Sequence, residues 1–161
     1  MKKIALSFFA ILLFLFSGCT YKREINISKS YIVTIKMKNM AFSDLGFLNY
    51  GKDYTNLQLF SAGNLILDLK IGEYICINSH CFEKKEFNRR FLNPIYGENT
   101  LENILNKRTI FDKIGYKKSD NGFSQIIKQK NLNIKYFVSK DKIYFKDYKN
   151  HILIKLTAIK R

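Results

Sequence analysis

The chain has 161 residues and a formal net charge of +15, with 28 Lys and Arg side chains against 13 Asp and Glu. Phe and Tyr are plentiful, Trp is absent, and Pro94 is the only proline. That length allows one domain with a real core, and no repeat, low-complexity linker or composition break marks a second.

Lys2 and Lys3 form a positive head, and Ile4 to Phe16 is apolar apart from Ser7. The run has the length of a signal-peptide apolar region and is short for a membrane-spanning helix. Ser17 and Gly18 then supply the slim side chains a signal peptidase needs. Phe16-Ser17-Gly18-Cys19 resembles the lipobox of bacterial lipoproteins, in which the cysteine thiol receives a diacylglyceryl group before cleavage; Phe16 stands where that motif usually has Leu. The resemblance implies that residues 1–18 are a lipoprotein signal peptide and that 19–161 form one periplasm-facing domain. Cys19 is then the lipidated first residue. Two or three acyl chains anchor firmly where one binds only marginally. Thr20, where an Asp would favour inner-membrane retention, points to the outer membrane.

Loss of Lys2 and Lys3 leaves 26 basic and 13 acidic side chains, near +13. Such an excess draws a domain toward anionic surfaces, such as phospholipid head groups or lipid A phosphates. Export argues against nucleic acid as the partner. The alternative is that Lys and Asn enrichment reflects a base-biased genome, the lysines simply solvating the surface.

Tyr31, Val33, Ile35 and Met37 alternate with polar and smaller positions, which predicts a strand with one buried face. Leu57 and Leu59 continue the pattern up to a turn at Ala62-Gly63-Asn64. Leu65, Leu67, Leu69 and Ile71 then line one face. Gly72-Glu73 turns the chain into YICINSHC, where Asn78-Ser79 can form a tight turn. Ile77 then faces His80, and Cys76 faces Cys81 as a non-hydrogen-bonded pair with close side chains. A disulfide fits there in an oxidising compartment. The competing reading, a metal held by Cys76, His80 and Cys81, lacks a fourth ligand and matches no zinc spacing, so no metal is expected.

From Phe87 to Lys107 the period changes. Phe87, Phe91 and Leu92 suit a helical face; Asn99 is placed to cap a second helix, with Glu102 reaching back. Strand patterns return at Gly122–Gln129, at Ile134, Tyr136 and Val138, and at Ile143 and Phe145 after a Lys140-Asp141 turn. Lys149-Asn150 leads into a last strand, where Ile152, Ile154, Leu156 and Ala158 share a face. Short Gly- and Asn-containing connections predict antiparallel hairpin neighbours. The expected fold is mainly β (α+β): a curved antiparallel sheet or incomplete β-barrel, with short helices inserted mid-chain and covering its open side.

His80 and His151 are the only histidines, and no glycine-rich phosphate loop, HExxH or GxSxG occurs. Catalysis is not expected, and no cofactor is implied. A curved sheet under helices either fills its interior or keeps a cavity for an apolar ligand. Candidates to line that interior are Phe42, Phe47, Leu57, Leu59, Leu67, Leu69, Phe91, Leu101, Ile104 and Phe145.

Three stretches together resemble the LolA/LolB superfamily of lipoprotein carriers and receptors. Residues 42–77 look like its central hairpins, 91–110 like the helical segment that follows, and 143–161 like its terminal hairpin. The resemblance implies an incomplete antiparallel barrel whose helices close a hydrophobic cavity for the acyl chains of a lipoprotein or another lipid. It further implies, for a LolB-like member, attachment to the outer membrane. In LolB a projecting loop carries an exposed leucine thought to help insert cargo into the membrane. Here the matching turn is Phe60-Ser61-Ala62-Gly63, so Phe60 and Ala62 are the membrane-facing candidates, and Ala62 buries far less apolar area than leucine. The rival expectation is a non-catalytic, lipid-anchored docking subunit of an envelope complex, marked by exposed tyrosines such as Tyr50, Tyr54 and Tyr148 on one surface.

Overall fold

The computed structural model of the chain describes residues 25 and 27–159. Residues 1–18, expected to be a signal peptide, and Cys19 lie outside these described residues.

Six strands come first: β1 (Ile27–Met37), β2 (Met40–Tyr50), β3 (Thr55–Ser61), β4 (Asn64–Ile71), β5 (Ile75–Ile77) and β6 (His80–Phe82). Helices α1 (Lys84–Phe91) and α2 (Thr100–Leu105) follow, with a tight turn at Phe111–Lys113. Five more strands complete the domain: β7 (Tyr116–Ser119), β8 (Gly122–Gln129), β9 (Leu132–Ser139), β10 (Lys142–Asp147) and β11 (Ile152–Ala158). All eleven form one antiparallel sheet in the order β6-β5-β4-β3-β2-β1-β11-β10-β9-β8-β7. It is not closed into a barrel; β6 and β7 are its edges.

Every neighbour in that order is a sequential hairpin except one. β1 pairs with β11, Tyr31 opposite Ala158 and Ile35 opposite Ile154, and so joins two meanders at the middle of the sheet. The predicted alternation sorts the faces. Tyr31, Val33, Ile35, Leu57, Leu59, Ile134, Tyr136, Ile143, Phe145 and Ile154 are buried on the inner face. Each such aliphatic side chain contributes roughly 1.5–3 kcal/mol relative to exposure.

Turn chemistry sets two of the hairpins. Ala62 and Gly63 (φ 47° and 81°), and Asn78 and Ser79 (φ 45° and 76°), have the paired positive φ of type I′ turns, whose twist matches the strands. The second turn is pinned to β4, where the Asp68 N–H donates to the Asn78 side-chain oxygen at 2.8 Å and the Asn78 N–H to the Asp68 carbonyl at 2.9 Å.

Two expectations are corrected. Leu65 does not join Leu67, Leu69 and Ile71 inside. A register shift between Leu59 and Phe60 sets Leu65 opposite Phe60, and Leu65 is 48% exposed. A bulge reverses the facing of every residue beyond it. Asn99 and Glu102 also form no capping box at α2, because Lys84 engages both: its Nζ donates to Asn99 Oδ1 at 3.0 Å and to Glu102 Oε2 at 2.9 Å.

Candidate functional site

The inner face of the sheet and the helical roof over it enclose the expected ligand region. Leu57, Leu59, Leu67, Leu69, Leu101, Ile104 and Phe145 are brought together here, each at 0–1% exposure, in one contiguous core. Phe42 packs half-buried against that core. So does Phe91, which stacks with Phe82 and Phe87 beneath α1 at 5.4 and 4.9 Å between ring centroids. Phe47 is a correction. It sits on the outer face, edge-on to Phe60 at 5.7 Å, because residues 42, 46 and 48 of β2 take the inner positions.

Among the described residues the core side chains pack closely. Under the C-terminal half, Phe123, Tyr136, Phe145 and Tyr96 stack in sequence at 5.5 to 6.1 Å. Packing is equally close beside β1: a Cβ added to Gly46 would lie 2.8 Å from both the Gln58 carbonyl and Val33 Cγ2. Four clefts bounded by described residues are lined by other side chains than the seven core candidates.

Sequence reasoning missed the polar latches that hold the roof down. Hydroxyls from the sheet reach up to main-chain carbonyls of the helical segment. Tyr50 donates to the Leu105 carbonyl at 3.1 Å, and Tyr136 to those of Ile104 and Arg108 at 3.3 and 3.0 Å. Tyr50 thereby satisfies the Leu105 carbonyl at the end of α2, and Tyr136 reaches the turn that follows it. Gln125, fully buried, clamps the connection into β7: its side-chain oxygen accepts from the Ile110 N–H, and its amide donates to the Ile110 and Ile114 carbonyls, each at 2.9 Å. Lys107 donates to the Ser139 and Lys140 carbonyls. Burial, then the charge of Lys29, pulls its ammonium below the ordinary lysine value, with Asp141 acting against both.

Among the described residues two buried polar atoms are left over, Asn88 Oδ1 and the Tyr31 hydroxyl. The Tyr31 hydroxyl lies in the core at 0% exposure with no hydrogen-bond partner. Such groups are rare in folded proteins and call for an explanation. Burial, and after it the Asp141 charge, raises this phenol above its usual value. Beside it, at the ends of β1 and β11, a cleft of about 710 Å³ is lined by Lys29, Tyr31, Phe47, Lys140, Asp141 and Ile159 among others.

The hairpin expected to face a membrane presents Ala62 at its exposed tip and Phe60 on the outer face. The bulge adds Leu65 to that face, a contribution only the register reveals. Cys76 and Cys81 are directly opposite in β5 and β6 and are joined by a disulfide. Among the described residues no cluster of three His, Cys, Asp or Glu groups is placed to hold a metal. Nor is any helix among them long and apolar enough to cross a membrane. Tyr50 and Tyr54 are half-buried and Tyr148 is exposed, so the three do not form one exposed patch.

Compared with known proteins, the sequence matches no family model and no curated protein.

Proposed function

We propose that the protein is a lipid-anchored, non-catalytic LolB-like protein of the bacterial outer membrane, which holds acyl chains between its curved sheet and its helical roof. The anchor is Cys19, and the cargo is a lipoprotein or another lipid. The observation that carries this reading is the Tyr31 hydroxyl, wholly buried and without a hydrogen-bond partner. An ester or amide carbonyl at the head of an acyl chain would accept its hydrogen bond, while the chain's methylenes gain about 0.8 kcal/mol each on burial. The open eleven-stranded sheet, with both helices inserted between β6 and β7, supports it further. Because the core side chains are wholly buried, uptake requires the roof to lift, and the bonds that must open are those of Tyr50 and Tyr136 to the helical segment and the 2.8 Å bond from the Tyr96 hydroxyl to Asp147.

The close packing of the described core also favours a second reading, in which the domain is a docking subunit of an envelope complex and carries no lipid.

Native mass spectrometry separates the two. The mature domain from Thr20 onward would be purified from the periplasm without detergent, then incubated with lipoprotein or phospholipid. A bound mass released as lipid or acylated peptide supports the carrier reading. A clean apo mass under all conditions sinks it and leaves the docking subunit.

A further inference from the structure

We infer that the outer face of β8, β9, β10, β11 and β1 is the surface by which the domain lies on an anionic phospholipid bilayer. This deepens the membrane-bound reading above by giving the domain an orientation.

The strand registers arrange the outer positions in rows. One row runs Ile126, Lys135, Lys146, Leu153 and Lys36 across the five strands. The next runs Ser124, Phe137, Tyr144, Lys155 and Thr34. Lys142 begins a third, and no Asp or Glu occupies an outer position on these strands among the described residues. Lys135 stands directly opposite Lys146, and like charges so placed oppose folding. No carboxylate on the face relieves them. An arrangement that disfavours the free domain is rational if an anionic partner neutralises it.

The partner's chemistry follows from what accompanies the lysines. The ammonium groups of Lys142 and Lys146 lie over the rings of Tyr144 and Tyr148, at 5.7 and 4.4 Å from the centroids, so this face pairs positive charge with aromatic surface. Lys135, Phe137, Lys142 and Tyr144 line a shallow hollow of about 320 Å³ with an almost wholly apolar floor. The third row then turns apolar: beyond Lys142 and Thr157 come Ile32, Leu45, Phe60 and Leu65. Ile32 is 53% exposed and Leu65 48%. A face that is basic on one side and apolar on the other, on the outside of a curved sheet, suits lipid phosphates above acyl chains. A nucleic acid would leave the apolar row in water.

The test uses residues 19–161 carrying Cys19→Ala, so that neither the apolar N-terminal run nor a lipid anchor contributes. Binding is measured to vesicles of phosphatidylcholine alone and of phosphatidylcholine mixed with phosphatidylglycerol. Tighter binding to the anionic vesicles, weakening as salt is raised, is expected. Lys135→Gln, Lys142→Gln and Lys146→Gln combined should weaken it about a hundredfold, roughly fivefold per lysine. The same lysines changed to Arg should retain binding. Lys52→Gln, Lys85→Gln and Lys113→Gln combined, with identical net charge, should change it only a few-fold. The outer-face triple variant should melt no lower than the parent, which checks its fold. Equal losses from both triple variants would overturn the inference, as would unchanged binding by the first. Lysine-dependent binding to a single-stranded oligonucleotide but not to vesicles would also overturn it. None of these outcomes alters whether native mass spectrometry finds a bound acyl chain, so the two proposals fail separately.

Discussion

The Tyr96 hydroxyl, between the two helices, donates a 2.8 Å hydrogen bond to Asp147, a fully buried carboxylate at the end of β10. This contact bridges 51 positions of sequence and ties the roof to the C-terminal hairpin. Asp147 also accepts from the main-chain N–H groups of Asn133, Lys149 and Asn150 and from the Asn150 side chain, so it organises the β10–β11 turn as well.

Tyr96→Phe should therefore loosen the roof without unfolding the hairpin. Loss of one bond to a carboxylate is expected to cost roughly 1.5–3 kcal/mol in urea unfolding. Asp147→Ala strands every donor of the cluster and should cost more. If the roof lifts to admit an acyl chain, Tyr96→Phe should also speed lipid uptake; unchanged uptake at reduced stability would break that link.

Gln125→Leu tests the second clamp. It preserves side-chain bulk but leaves the Ile110 N–H and the Ile110 and Ile114 carbonyls without their present partner. A loss of roughly 2–4 kcal/mol is expected. Amide exchange should rise first in the segment 110–119. A loss below half a kilocalorie would mean that water or a shifted backbone replaces the clamp.

The Cys76–Cys81 disulfide closes a very short loop, so chain entropy predicts only about 2 kcal/mol for it. Cys76→Ser with Cys81→Ser should lower stability by that amount and leave the β1–β4 region intact. The hairpin sits at an edge of the sheet, so lost exchange protection should be confined to β5 and β6. A globally unfolded double variant would contradict this.

Alkaline pH should destabilise the domain. Burial raises the phenols of Tyr50, Tyr96 and Tyr136 well above their ordinary value of 10, and that of Tyr31 above it. Their folded-state protons are held where the unfolded chain has released them. The stability they contribute is thus whole below about pH 10 and declines as pH rises toward their folded values, by about 1.4 kcal/mol per pH unit for each. Lys107, held below its usual value, acts in the opposite sense but is a single group. Unfolding midpoints measured from pH 8 to 11.5, with phenolate absorbance followed in parallel, would check it. A flat profile would exclude buried tyrosines as the controlling groups.

What the sequence by itself determined is whatever one strand or one hairpin encodes. Alternation assigned Tyr31, Val33 and Ile35 to a buried face, and the two residues between Ile77 and His80 set the register that brings Cys76 to Cys81. The helices were legible from the change of period after Phe87. Tertiary structure decided the pairings that join distant segments. The β1–β11 pairing closes a separation of more than a hundred residues, and no local pattern records such a choice, because its stability comes from burying both meanders around one core. The bulge at Leu59/Phe60 turned Leu65 outward, and Lys84 drew Asn99 and Glu102 from their expected cap. The aligned lysines of the outer face belong to the same class. Each reads in sequence as an ordinary solvated residue; only the register of five strands places Lys135 against Lys146 and sets both beside an apolar row.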